Sequence, residues 1–205
     1  MILTTSAVSE PLGTNALRGM FEARKQIFVD LLQWDVPVLG GRFEIDQFDD
    51  LHARYVMVTA PGGEHLGSAR LLQTTRPHIL GSLFADLCAG PVPTGPDVVE
   101  ITRFCLGRNQ TAGERRLTRD CLVSALVRDG LDRGVRTYTG VAEMGWLQQI
   151  LGFGWRCRPL GFPRRSGRGM IGALAIEIDA DTPALLAGNG MWIEDADWAS
   201  AREAA

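Results

Sequence analysis

The chain has 205 residues, 45% of them apolar and 22% charged, with a formal charge of -3. That length suits one domain able to bury about 70% of its unfolded surface, and the composition is that of a soluble globular protein. The slightly acidic balance argues against a nucleic-acid partner. No apolar run approaches the ~18 residues of a membrane span, which argues against a membrane partner.

The opening stretch, MILTTSAVSEPL, lacks the basic and apolar regions of an export signal. Cys88, Cys105, Cys121 and Cys157 form no C-x-x-C pair, so a cytoplasmic location with reduced, mostly buried thiols is expected. His52, His65 and His78 are scattered, and no metal site is expected. Lys25 is the sole lysine, and this bias toward arginine is compatible with recognition of anions.

PLGTNALRGMFEARKQIFVDLLQW predicts a first helix, N-capped by Thr14 or Asn15. Leu17, Met20, Phe21, Ile27, Phe28 and Leu31 follow the spacing of its buried face. Asp35 to Asp50 reads as irregular, with Pro37, Gly40 and Gly41. RYVMVTAPGGEHLGSARLL predicts two strands joined by a Pro-Gly-Gly hairpin turn. HILGSLFADLC is a short helix, and DVVEITRFCLG a strand rich in β-branched residues.

A second long helix covers ERRLTRDCLVSALVRDGLDRG, with Leu117, Cys121, Leu122, Ala125 and Leu126 on one side and Gly134 as its stop. VRTYTGVA, GWRCRPLG and MIGALAIEI are further strands, and EMGWLQQILGF a helix between the first two. This alternation predicts an α/β fold, one mixed sheet with helices on both faces. Residues 1–180 would form the single domain, and 181–205 a peripheral helix and tail that carries Glu194, Asp195 and Asp197.

Charged residues interrupt this pattern in informative places. FEIDQFDD, residues 43–50, crowds Glu44, Asp46, Asp49 and Asp50 at the entrance to the sheet. A solvated acidic loop is the ordinary explanation for such a cluster. Arg24, however, shares the apolar face of the first helix with Met20, Ile27 and Phe28. A guanidinium there either snorkels to water at the rim or requires a carboxylate or ligand to offset its desolvation. Trp34 at the helix exit, taken alone, is core packing. Arg70 lies within a strand, and Glu100 and Arg103 interrupt another. Three positions apart, Glu100 and Arg103 point to opposite faces of a regular strand, and share one site only if a bulge or splay re-aims one of them.

A buried ion-pair network is a costly way to stabilise a fold, since apolar packing often does as well or better. Arginines and carboxylates collected in the first half of the chain therefore favour a polar ligand bearing both signs of charge.

The spacing of these residues resembles the acyl-homoserine-lactone synthases, the autoinducer synthases of bacterial quorum sensing. The family pattern R-x3-F-x5-W meets Arg24, Phe28 and Trp34, and E-x-D-x-[FY]-D meets Glu44, Asp46, Phe48 and Asp49. R-L-x-x-T meets Arg70, Leu71 and Thr74, and E-x-[ST]-R-F meets Glu100, Thr102, Arg103 and Phe104. GWRCRPLGFP looks like the family's late strand, so the similarity runs from about residue 18 to 178. Two departures stand out. Val99 replaces a tryptophan frequent before the strand glutamate, and the 3-oxo-associated threonine has no clear counterpart near Ala142 and Glu143.

The resemblance implies an N-acyltransferase-like fold related to acetyl-coenzyme A-dependent N-acetyltransferases. It implies acyl transfer from a thioester, on acyl-carrier protein or coenzyme A, to the amine of S-adenosylmethionine. Lactonisation then releases methylthioadenosine. Both compounds are substrates, and no cofactor is implied. By the resemblance, Arg24, Phe28, Trp34, Asp46, Arg103 and Phe104 border the S-adenosylmethionine site. Glu100 is the candidate general base, with Asp46 the alternative, and Arg103 holds Glu44 or the substrate carboxylate. Glu44, Asp49 and Arg70 form the supporting ion-pair network. Val141, Ala142, Glu143 and Trp146 fall in the acyl-pocket region, where Trp146 floors a shortened pocket or simply packs on its helix.

Arg115, Arg116 and Arg119, with Arg156, Arg158, Arg164, Arg165 and Arg168, could meet an acidic carrier protein, bind coenzyme A phosphates or solvate helix surfaces. Two other functions fit the same sheet. One is an ordinary acetyl-coenzyme A-dependent N-acetyltransferase, whose [QR]-x-x-G-x-[GA] phosphate loop LGRNQTAGERR departs from at Thr111. The other is a non-catalytic small-molecule sensor, for which a base beside an amine pocket would have no use. The sequence leaves the acyl chain and the oligomeric state open.

Overall fold

The structure, a computed structural model, describes residues 1–6, 15–167 and 169–194. The chain divides into two units: Met1–Leu71 with Arg103–Ala125 and Ile193–Ala205, and Leu72–Thr102 with Leu126–Trp192.

In the first unit, β1 (Ile2–Ser6) pairs antiparallel with β4 (Arg54–Thr59), which pairs antiparallel with β5 (His65–Gln73). The β4–β5 hairpin turns through Pro-Gly-Gly as expected, closed by Ala60 N–H to Glu64 O at 2.9 Å, with Gly63 at φ +88°. A bulge at Val58/Thr59 absorbs the odd residue. Arg103–Leu106 continue this layer through Gly107 N–H to Leu66 O at 2.7 Å. Gly67 is required here, because a Cβ would lie 2.9 Å from Thr118 Cγ2 and 3.1 Å from Leu106 Cδ2.

The first helix departs from expectation. It is α-helical only over α1 (Asn15–Arg24) and continues as a π-helical segment, Lys25–Leu31. Leu32 N–H accordingly reaches five residues back to Ile27 O, at 2.9 Å. The wider turn keeps Arg24, Ile27 and Phe28 buried and carries Leu31, expected inside, to 53% exposure. Asn15 is the first helical residue; Thr14, the alternative cap, lies outside the described residues. Two short strands, β2 (Val38–Leu39) and β3 (Phe43–Glu44), pair inside the stretch read as irregular.

The second unit begins after the hairpin with α2 (Ile79–Leu83) and a 3₁₀ turn, Ala85–Leu87. Next come β6 (Val98–Leu106) and the long α3 (Ala112–Asp132), elements that each contribute to both units. A reciprocal capping box starts α3: Thr111 N–H donates to Glu114 Oε2 at 2.7 Å, and Glu114 N–H to Thr111 Oγ1 at 3.2 Å. Cys121, Leu122, Ala125 and Leu126 are buried as expected, but so are Val123, Ser124 and Val127, so the helix is more enclosed than its amphipathic pattern implies. Gly134, at φ +70°, follows its end.

β7 (Thr137–Glu143) runs parallel to β6, with Val98, Val99 and Glu100 opposite Thr137, Tyr138 and Thr139. After α4 (Met144–Leu151) and β8 (Cys157–Pro159) come β9 (Arg164–Ser166) and β10 (Gly169–Glu177). β10 pairs antiparallel with β7, β8 and β9. One parallel pairing beside antiparallel ones makes the sheet mixed, as the alternation of elements implies. A short α5 (Thr182–Gly188) lies in the region read as a peripheral helix; Asp195 and Asp197 of the tail are outside the described residues.

Candidate active site

Three of the four crowded carboxylates meet the three arginines in a closed ring of alternating charge. Arg24 Nε donates to Glu44 Oε2 at 2.5 Å, and Glu44 Oε1 accepts from Arg103 Nη2 at 2.9 Å. Arg103 Nη2 reaches Asp46 Oδ2 at 2.7 Å, and Asp46 Oδ1 accepts from Arg70 Nη1 at 2.6 Å. Arg70 Nη1 lies 2.9 Å from Asp49 Oδ1, and Asp49 returns to Arg24 through a fork of two 2.8 Å bonds. Asp50, the fourth carboxylate, instead accepts the N–H groups of His52 and Ala53 at the loop exit.

Local structure makes this ring possible. The wide turn at the end of α1 holds Arg24 and Phe28 on one face, while β3 delivers Glu44. The loop beyond is tied by Phe48 N–H to Asp46 Oδ1 and by Asp46 N–H to Asp49 Oδ2. Arg103 adopts φ +49°, a left-handed conformation rare for a bulky side chain within a strand.

Burial is nearly complete: side-chain exposure is 0–1% for Arg24, Glu44, Asp49 and Arg70, 5% for Asp46 and 9% for Arg103. Burial alone would push the Asp49 carboxyl up. The hydrogen bonds and charge of Arg24, with the charge of Arg70, outweigh it and hold that carboxyl well below the usual carboxylate range. Burial likewise disfavours the charged forms of Arg24 and Arg70, and their carboxylate partners overcome it, so both titrate above the ordinary arginine range. Tyr55 O–H donates to Asp49 Oδ1 at 2.9 Å; burial, then the Asp49 charge, pushes its phenol up.

The more exposed edge of the ring is aromatic. Phe28 and Trp34 stack with centroids 4.7 Å apart, and the Arg103 guanidinium lies 5.5 Å from the Phe28 ring and 5.8 Å from that of Trp34. Ile27, Phe28 and Cys105 cluster here, with Trp34 packed against them. Cys105 Sγ is 3.4 Å from Ser68 Oγ, itself 2.9 Å from His65 Nε2. Desolvation pushes the His65 imidazole down to about 4, so it is neutral near pH 7. Phe104 is half-buried.

Glu100 belongs to the second unit, where it is fully buried and its Oε1 accepts Leu80 N–H at 2.8 Å. Of the acyl-pocket candidates, Val141 packs against a cluster of Leu80, Leu87, Ile171 and Ala173, with Phe84 and Leu160. Trp146 makes an edge contact with Phe153 at 5.7 Å; Ala142 is half-buried and Glu143 exposed.

Several of the clustered arginines have local partners. Arg115 donates to Gly107 O, Arg119 to Asp120, and Arg156 to Asp179 and Asp181, while Arg164 pairs with Asp86. Arg168 lies outside the described residues. Gln110 ties down the loop after β6 through Leu66 O and Thr118, the segment where a phosphate-cradling loop was in question. Among the described residues no cluster of His, Cys, Asp and Glu could hold a metal, and no helix is long and apolar enough to cross a membrane.

Sequence reasoning passed over Tyr55, whose only signal was a phenol within the apolar run YVMV, and the Leu80 N–H, which side-chain reading cannot reveal.

The mixed sheet is the architecture of an N-acyltransferase. A solved N-acetyltransferase from Lactobacillus plantarum shares that fold, with a TM-score of 0.58 over 87% of this chain and 98% of its own, at 15% identity. Similarity is much stronger elsewhere. The autoinducer synthase family model matches residues 10–184. An acyl-homoserine-lactone synthase of Ralstonia nicotianae is 37% identical over 169 residues, 80% of this chain and 82% of the relative. The coenzyme A-dependent acyl-homoserine lactone synthase BjaI, solved with S-adenosylmethionine and isopentyl-CoA, aligns over 99% of both chains with a TM-score of 0.82 and 27% identity. The chain belongs to the autoinducer synthase family: it is an acyltransferase that makes an acyl-homoserine lactone.

Proposed function

We propose that the head group of S-adenosylmethionine binds at the Arg103–Asp46 edge of the charge ring. One observation carries this reading: the ring is closed and nearly dry everywhere except where a cation and an anion stand 2.7 Å apart beside the stacked Phe28 and Trp34. An amino-acid head group needs such a pair, its carboxylate meeting Arg103 and its ammonium Asp46. The sulfonium or adenine gains ~0.5–2 kcal/mol on the aromatic faces. Arg24 and Phe104 border this site, while Glu44, Asp49 and Arg70 hold its charges in place.

Glu100 is the general base. It takes the proton of the amine as the nitrogen attacks the thioester carbonyl; the amide C–N bond forms and the C–S bond to the donor thiol breaks. The methionine carboxylate then attacks the carbon bound to sulfur, closing the lactone and expelling neutral methylthioadenosine. Asp46 is the weaker candidate for base, because both of its oxygens already accept hydrogen bonds from arginines.

The acyl chain rests on the apolar cluster that includes Val141, with Ala142, Glu143 and Trp146 at its border. Its donor is an acyl-coenzyme A or an acyl-carrier protein. Residues 1–180 act as one catalytic domain, with 181–205 peripheral, in the cytoplasm where both substrates are made.

Incubation with S-adenosylmethionine and a panel of both thioester classes, read by mass spectrometry, should yield methylthioadenosine and an acyl-homoserine lactone in equal amounts. Asp46→Asn and Arg103→Met should each weaken S-adenosylmethionine binding at least tenfold by calorimetry, since each leaves a head-group charge unmet. Unchanged binding in both variants would remove the head group from this edge.

A further inference from the structure

Glu100 and Thr139 are register partners in the parallel pair β6–β7. Side chains at paired positions leave a sheet on the same face, with strands ~4.8 Å apart. Helix α2 packs on β7, and its Leu80 joins a cluster with Val141, two residues beyond Thr139 and on the same face. The same Leu80 donates its backbone N–H to Glu100. Glu100 and Thr139 therefore lie side by side beneath α2, each fully buried.

Thr139 is unusual among the described buried hydroxyls. Tyr138 O–H reaches Leu126 O, Thr118 reaches Gln110, Thr74 reaches Val98 O and Ser124 reaches Asp120 O. Thr139 Oγ1 is buried with no hydrogen-bond partner. Its register partner on the other side, Ala175, offers no polar side chain. Keeping an unpaired hydroxyl in such a place costs stability that valine, of the same shape, would not.

We propose that Thr139 is a positioning residue for Glu100, forming a hydrogen bond with its carboxyl group during turnover. The inference rests on the reading of Glu100 as the base. A hydroxyl suits the task because it both donates and accepts. It donates to the carboxylate before proton transfer and, by rotating about its C–O bond, accepts from the carboxylic acid afterwards. The Leu80 N–H can only donate, and so cannot accept the proton of the acid form. Turning the Thr139 side chain from one staggered rotamer to another needs no backbone motion.

The test compares Thr139→Val and Thr139→Ser, using S-adenosylmethionine with whichever thioester of the panel gives fastest methylthioadenosine release. Thr139→Val should lower kcat about tenfold while KM for S-adenosylmethionine stays within about twofold, with no fall in the melting temperature. Thr139→Ser should retain most of kcat. A Thr139→Val enzyme with the original kcat overturns the proposal, as does a parallel loss of kcat and melting temperature in both variants, which would mean packing alone. Glu100→Gln runs alongside. If it is inactive while Thr139→Val is normal, only this inference falls; if it is fully active, the base assignment itself falls.

Discussion

The charge ring and the surroundings of Glu100 handle buried carboxylates in opposite ways. Each carboxylate of the ring touches two arginines, and three positive charges answer three negative ones. Glu100 instead accepts the backbone N–H of Leu80 and is the register partner of Thr139, whose hydroxyl has no hydrogen-bond partner. Paired charges are held in place, which suits recognition of a fixed head group. A carboxylate that stands outside such a ring and accepts a backbone N–H suits proton transfer.

Breaking the ring should produce the largest effect on stability. Arg24→Met leaves Glu44 and Asp49 each short of a partner and should cost ~3–5 kcal/mol in urea unfolding. Arg24→Lys keeps the charge but cannot reproduce the fork to Asp49, and should fall between that variant and the original. On the other side of the comparison, Glu100→Gln should leave unfolding nearly unchanged yet slow methylthioadenosine release at least ~100-fold, equivalent to ~2.7 kcal/mol. A Glu100→Gln enzyme that unfolded as readily as Arg24→Met would erase the distinction between the regions.

Acid should sharpen the distinction further. Asp49 titrates lower in the folded protein than its unfolded value near ~4. Its contribution to stability is therefore complete above that pH and is lost as the pH falls below it. Urea midpoints at pH 6 and at about pH 3 should differ less in Asp49→Asn than in the original protein. The smallest effect expected is for Tyr55→Phe, which removes one hydrogen bond to a carboxylate that keeps its two arginines, and should cost ~1 kcal/mol.

The elements that set out the sheet were legible because they repeat. The hairpin announced itself through Pro-Gly-Gly, α3 through its helical spacing and β6 through its β-branched residues. Strands of two residues such as β2 and β3 have no period to read, and β1 and β9 lack a run of apolar residues. Arg24, Glu44, Asp46, Asp49, Arg70 and Arg103 could be picked out as misplaced charges. Their arrangement as a ring could not, because which arginine meets which carboxylate depends on two backbone irregularities. The π-helical segment and the left-handed Arg103 are both conformations that local preference disfavours and that surrounding ion pairs and packing impose. Leu31 was misjudged for the same reason: a 3.6-residue period assigns it to the interior, and the wider turn does not.

The π-helical segment also holds one residue more than a regular helix of the same reach would need. An α-helix advances about 100° per residue, so a deletion within α1 rotates Leu17 and Met20 away from the face they share with Arg24. Removing an exposed residue between Lys25 and Leu31, such as Gln26 or Asp30, would instead let the regular ladder close and leave the residues beyond at nearly their present angle. A single-codon deletion there should therefore be tolerated better than one in α1.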